Sequence, residues 1–139
     1  MTGNPVDMRM AGLVSLALAF AYFAAGHFIQ TEPLAAMLPP WLPERIAIIY
    51  ATGLIEWSLA LALLIPRYRR IAGWCCIAVL VLFFPANVYA AINHFGPGGH
   101  LWGAEYLLIR GPLQVVLIFW TFHFAISEPS EKAAAPTPS

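Results

Sequence analysis

The sequence predicts an all-α membrane protein, a four-helix transmembrane bundle with both termini on the cytoplasmic side. Three observations carry that prediction. The 139 residues are 60% apolar and only 10% charged, with a mean hydropathy of +0.73, whereas a soluble domain carries about 25% charged residues. Four stretches are apolar over the roughly 20 residues that a helix needs to cross about 30 Å of hydrocarbon. The basic residues also fall unevenly between the connections, which sets a direction. Seven basic residues balance seven acidic ones, so there is no basic stripe for nucleic acid. A water-soluble globule and a disordered chain are both excluded by the same apolar excess.

The elements follow in order. Residues 1–9 form a short N-terminal tail. The first span runs from Met10 to Ile29 with no charge inside it. Small residues in Ala21-Tyr22-Phe23-Ala24-Ala25-Gly26 raise the question of a cleaved signal peptide. The apolar run is long for such a segment and its leading end weakly basic, so a retained helix is expected. Pro33, Pro39, Pro40 and Pro43 punctuate the connection to the second span, Ile46 to Ile65, which holds Glu56. Pro66-Arg67-Tyr68-Arg69-Arg70 leads into the third, Ile71 to Ile92, with Pro85 and Asn87 in its later half. Phe95-Gly96-Pro97-Gly98-Gly99 reads as a loop. The fourth span starts at Glu105 or Tyr106, ends at Ile126 and contains Arg110. Residues 127–139 have no apolar payload and read as a disordered cytoplasmic tail. No segment shows the period-2 alternation of barrel strands. With the Arg67–Arg70 connection inside, Arg9, Arg67, Arg69, Arg70 and Lys132 are cytoplasmic and only Arg45 is outside.

Polar groups in hydrocarbon cost several kcal/mol unless partnered, so each asks for a reason. Alternating helix direction converts position into depth at about 1.5 Å per residue. His27 then lies about 3 Å below the outer boundary, Asn87 and Arg110 about 7 Å, and Gln114 and Glu56 about 13–15 Å. Tyr22 and Tyr50 belong to the outer half as well. The polar load is therefore concentrated toward one side. Glu56 and Arg110 are expected to pair across facing helices, because each makes the other tolerable. Such a pair is either a site or a packing device. Thr52, Gly53, Glu56 and Ala60 form one narrow face, small enough for close helix approach. Arg110, Gln114, Leu117 and Thr121 form another, and Cys76, Leu80, Phe83 and Asn87 a third. Pro85 removes a donor from the carbonyl of Val81 and is expected to bend the third helix. Asn87 is expected to share a pocket with Glu56 and Arg110.

The four histidines show no compact ligand spacing, so no metal site is expected. His94, His100 and His123 read as interfacial, and His27, beside Gly26, is kept as a candidate ligand-binding residue. Cys75 and Cys76 are adjacent and point about 100° apart on a helix, which argues against thiol redox chemistry within the chain. Trp41, Trp74, Trp102 and Tyr106 fit an interfacial aromatic belt.

The order Gly26-His27-Phe28, then PPWLP at 39–43, TGLIEW at 52–57, IPRYRRIAGW at 65–74, FPANVYAA at 84–91 and RGPLQ at 110–114 resembles the DoxX-like family of small four-helix membrane proteins. The resemblance spans Gly26 to Trp120. It implies that Glu56 stands at that family's hallmark glutamate of the second helix. It also implies a link to quinone or oxidative-stress handling, the family name having come from a quinone-linked thiosulfate oxidation system. The expected function is an outward-facing intramembrane pocket for a small amphipathic, quinone-like molecule in the bacterial inner membrane, with the protein a candidate subunit of a quinone-linked oxidoreductase. Glu56 and Arg110 are its candidate catalytic residues, and His27, Tyr50, Asn87 and Gln114 its candidate ligand-binding residues. Two alternatives stand beside it. One is a non-enzymatic accessory or assembly subunit that meets a membrane-complex partner or a second copy of itself. The other is a small transporter, for which four helices leave little room without dimerisation.

Overall fold

A computed structural model describes residues 5–94, 105 and 107–127. The described elements are α1 (Pro5–Ile29), α2 (Thr31–Ala36), α3 (Arg45–Leu64), α4 (Arg69–Ile92) and α5 (Leu107–Thr121), which runs on into a π-helical turn, Phe122–Ile126. Four helices are long and apolar enough to cross a membrane, the last being α5 with its π-turn. No strand occurs among the described residues. The chain is thus an all-helical, multi-pass membrane protein, as its composition requires. The expected loop at 95–99, His100, Trp102, Tyr106 and the tail beyond Ser127 lie outside the described residues.

Local chemistry sets the helix ends. Helix α1 begins five residues earlier than expected, with Pro5 at its first position and Asp7 in its first turn. Proline there loses no helix bond, and an acid there faces the positive end of the dipole. Ile65 is extended (φ −92°, ψ 115°), the conformation that a following proline imposes, and this ends α3. His94, left-handed at φ 58°, turns the chain away after α4. Helix α4 itself continues through Pro85 as one helix.

The long helices form a ring in the order α1, α3, α4, α5, with α1 against α3 the most extensive contact. The diagonal pairs, α1 with α4 and α3 with α5, meet much less. At one end lie the start of α1, the end of α3, the start of α4 and the π-turn. This end carries Arg9, Arg67, Arg69 and Arg70 and is called the basic end below. Leu13, Leu16, Phe20, Ala60, Leu63, Ala72, Cys76, Ala125 and Ile126 make a continuous apolar core in that half. Cys76 is buried and Cys75 exposed, as neighbours on a helix should be.

Close approach at two glycines docks the end of α5. A β-carbon on Gly12 of α1 would stand 2.4 Å from the Phe124 ring, and one on Gly73 of α4 would stand 2.9 Å from Ala125 and Ile126. Across the first contact Trp120 Nε1 donates to Gly12 O at 3.0 Å. At the other end the short α2, unanticipated by the sequence reading, lies against α3 and buries Ala35. Thr31 ties it to α1 by donating from Oγ1 to His27 O at 2.7 Å.

Candidate functional site

Four of the six candidate residues come together as two neighbouring pairs, a fifth joins one of them, and the sixth stands apart. The first pair is His27 of α1 with Glu56 of α3. Gly53 stands one turn before Glu56, and a β-carbon there would approach His27 Cβ to 2.8 Å and the Phe28 ring to 3.0 Å. The missing side chain therefore lets α1 settle at the level of Glu56. His27 Nδ1 lies 3.3 Å from Glu56 Oε2. Glu56 is 4% exposed and His27 9%, so both sit essentially inside the bundle.

Depth explains why the sequence reading separated these two residues. The expected depth of His27 takes the end of α1 to lie at the membrane boundary. In the structure α3 reaches beyond α1, and α2 covers the step. His27 faces Gly53, eight residues into α3, which is about 12 Å along its axis. Glu56 therefore meets a histidine placed too shallow by the sequence reading, and the expected Glu56–Arg110 pair does not form. Ring order is the second cause: α3 and α5 are diagonal, so their polar faces do not abut.

Arg110 belongs to the second pair. Its Nη1 donates to Asn87 Oδ1 across the α4–α5 contact. One turn along α5, Gln114 Nε2 donates to Leu80 O at 2.6 Å. That carbonyl is next to Val81, whose own carbonyl loses its donor to Pro85. The third face expected from the sequence is intact. Cys76 and Leu80 turn to the core, Asn87 meets Arg110, and the Phe83 ring lies 6.4 Å from the His27 ring. Phe83 stands one turn before Asn87, so one face of α4 meets both pairs. Asn87 is joined to Arg110 as expected, while Glu56 is reached through His27 and Phe83 and not directly.

Tyr50 does not enter either pair. It is 43% exposed and stacks on Phe28 at 5.6 Å between ring centroids. Phe28 in turn covers Gly53, so the two rings wall the His27–Glu56 pair from outside. The sequence places Phe83 on the Asn87 face and Phe28 beside His27, but neither is among the six candidate site residues.

The pair holds an unsettled proton. His27 Nδ1 also lies 2.9 Å from Phe23 O, the carbonyl one turn back on its own helix. That carbonyl is already the acceptor position for the helix bond of His27 itself. Glu56 Oε2 is buried and has no hydrogen-bond partner. With the proton on Nδ1, the histidine serves Phe23 O and leaves Glu56 poorly answered. With the proton on the carboxyl, Glu56 can donate to Nδ1. Both arrangements are chemically complete for the histidine, so a proton can pass between the two side chains. The other ring nitrogen, Nε2, has no hydrogen-bond partner among the described residues.

Comparison with known proteins gives a family and no activity. The family described as Domain of unknown function (DUF8561) matches residues 16–125, most of the chain and all of both polar pairs. No curated protein and no solved structure matches.

Proposed function

We propose that this chain, which belongs to the DUF8561 family, binds a small amphipathic molecule with a quinone-like polar head at His27 and Glu56, and moves a proton there. The observation that carries the reading is the buried Glu56 Oε2, without a hydrogen bond and 3.3 Å from His27 Nδ1. A carboxylate kept in that condition is costly, and a ligand hydroxyl that donates to it gives it a use. Glu56 holds the imidazole from the Nδ1 side, so Nε2 is the atom offered to the ligand's oxygen. A proton lost or gained at Nε2 is passed through the ring to Glu56. Phe83 and Phe28 supply flat apolar walls for a ring. Arg110, bonded to Asn87, supplies positive charge one turn along α4 from Phe83.

The DoxX-like resemblance supports the redox-linked setting, and the charge distribution supports the address. With the basic end cytoplasmic, the protein lies in the bacterial inner membrane with both termini inside. The test is a thermal-stability titration of the detergent-purified protein with a short-tailed benzoquinone and its quinol. A saturable rise in melting temperature is expected, lost in Glu56→Gln and in His27→Gln and retained in Tyr50→Phe. No shift with either compound in the unaltered protein defeats the proposal.

A second reading, an accessory subunit of a membrane complex, is favoured by α5. Only 6% of its most apolar stretch is buried, and Leu108, Ile109, Val115, Val116 and Phe119 all face outward. Co-purification of a stoichiometric membrane partner, lost when Val116 and Phe119 are replaced by alanine, would support it.

A further inference from the structure

The polar atoms around His27 and Glu56 are short of one hydrogen-bond donor. Phe23 O can only accept, and it lies 2.9 Å from His27 Nδ1. A lone pair on Nδ1 would face the lone pairs of that carbonyl, so the ring proton belongs on Nδ1. Of the two arrangements of the pair, the one with the proton on Nδ1 is thus the resting one. A neutral imidazole carries one ring proton, which leaves Nε2 an acceptor. Glu56 Oε2 is 3.3 Å from the same Nδ1 but receives no hydrogen bond, and an ionised carboxylate also only accepts. Three acceptors, Phe23 O, Oε2 and Nε2, are left to one side-chain donor.

Among the described residues the walls of the pair supply no second donor. Phe28 covers Gly53, and the Phe83 ring stands beside the imidazole; neither carries a polar hydrogen. Thr52, one turn before Glu56 on α3, spends its hydroxyl on Ile49 O at 2.9 Å. What opening the pair has is on the histidine, whose side chain is 11% exposed against 5% for Glu56. A ligand therefore arrives at the imidazole, with the carboxylate behind it.

We propose that this site selects its ligand in the hydroxyl form, a quinol or other phenol, over the carbonyl form of the same ring. The inference rests on the reading of His27 and Glu56 as a ligand site, and it assigns the chemical class that the site takes. A ring hydroxyl brings the missing donor and gives it to Nε2. The negative carboxylate on the Nδ1 side strengthens that bond by polarising the imidazole. A carbonyl in the same place sets one acceptor against another and leaves the shortage as it was. Arg110 can only donate, so it suits a hydroxyl oxygen and a carbonyl oxygen alike. Choice between the two forms falls to the His27–Glu56 end.

The test titrates the detergent-purified full chain with matched ligands at one pH and takes affinities from the rise in melting temperature with concentration. A short-tailed benzoquinone is compared, under exclusion of oxygen, with its quinol. A 4-alkylphenol is compared with its methyl ether, which keeps the ring and loses the donor. In each pair the hydroxyl compound is expected to bind about tenfold more tightly, the effect of one hydrogen bond made or left unmade in a buried site. Equal binding within either pair overturns the proposal and leaves the site reading standing. Tighter binding of the quinone does the same, and would mean that Nε2 carries a proton. No binding of quinone or quinol defeats both. A preference that survives His27→Gln also overturns the proposal, since the discrimination then lies elsewhere. Should that variant fail to fold, the matched ligands decide alone.

Discussion

A carboxyl group inside hydrocarbon must be paired or protonated, and Glu56 is placed where either state can exist. Its neighbour His27 is held by Gly53, by Phe83 and by the Phe23 carbonyl, so the ring cannot turn away without losing packing. Removing the histidine should therefore cost more than the contact itself is worth. His27→Ala is expected to lower unfolding free energy by about 3–5 kcal/mol, because it strands a buried carboxylate. The His27→Leu, Glu56→Leu pair should recover most of that loss, since neither charge nor orphaned oxygen remains. Denaturant titration of the detergent-solubilised variants measures both, and equal losses would show that charge burial is not the cause. At this scale the sequence made the residue types legible, and Glu56, Arg110, Asn87 and Gln114 all turned inward as their helical phases required. Partner choice was not legible, because it depends on how far one helix is displaced along another.

Among the elements, the decisive positions are those with no side chain. Gly12 and Gly73 let the π-turn wedge between α1 and α4, and Gly53 lets α1 descend to Glu56. In lipid, where apolar surface gains little by leaving its solvent, such close packing does much of the work of association. Gly12→Ala should therefore destabilise the bundle by about 1–3 kcal/mol, since Phe124 must move to admit the methyl group. Gly26→Ala has nothing within 4 Å of the new carbon and should be neutral or stabilising by up to about 1 kcal/mol. Melting temperatures of the two variants in one detergent test the contrast; similar losses would place the cause in helix propensity. Pro85 was expected to bend α4, and the helix runs through it. The neighbouring Leu80 carbonyl takes a cross-helix bond from Gln114, so this part of the backbone is tied to α5.

The whole molecule is polarised twice. Its apolar core fills the basic half, and His27, Glu56, Asn87 and Arg110 occupy the other. Among the described residues four arginines gather at one end, and Glu32, Glu44 and Glu105 stand at the other. The positive-inside rule reads the second asymmetry as an orientation with the arginine end cytoplasmic. A green fluorescent protein fused after Ser139 should fluoresce, and alkaline phosphatase at the same point should be inactive, both reporting a cytoplasmic C-terminus. The reverse pattern would invert the topology and put the polar half on the cytoplasmic side.

Composition alone determined that the chain crosses a membrane and does so as helices, because backbone groups in hydrocarbon have no other way to be satisfied at this length and pattern. Periodicity determined which side chains share a face, since 3.6 residues per turn is a local rule. Only the tertiary structure decided that Glu56 meets His27 while Arg110 meets Asn87. That choice follows from ring order, which makes α3 and α5 diagonal, and from the axial offset between α1 and α3 that α2 covers. Both are relations between helices far apart in the chain, set by where glycine permits contact and by the sum of all packing at once. A single sequence records the ingredients of that sum and not its result.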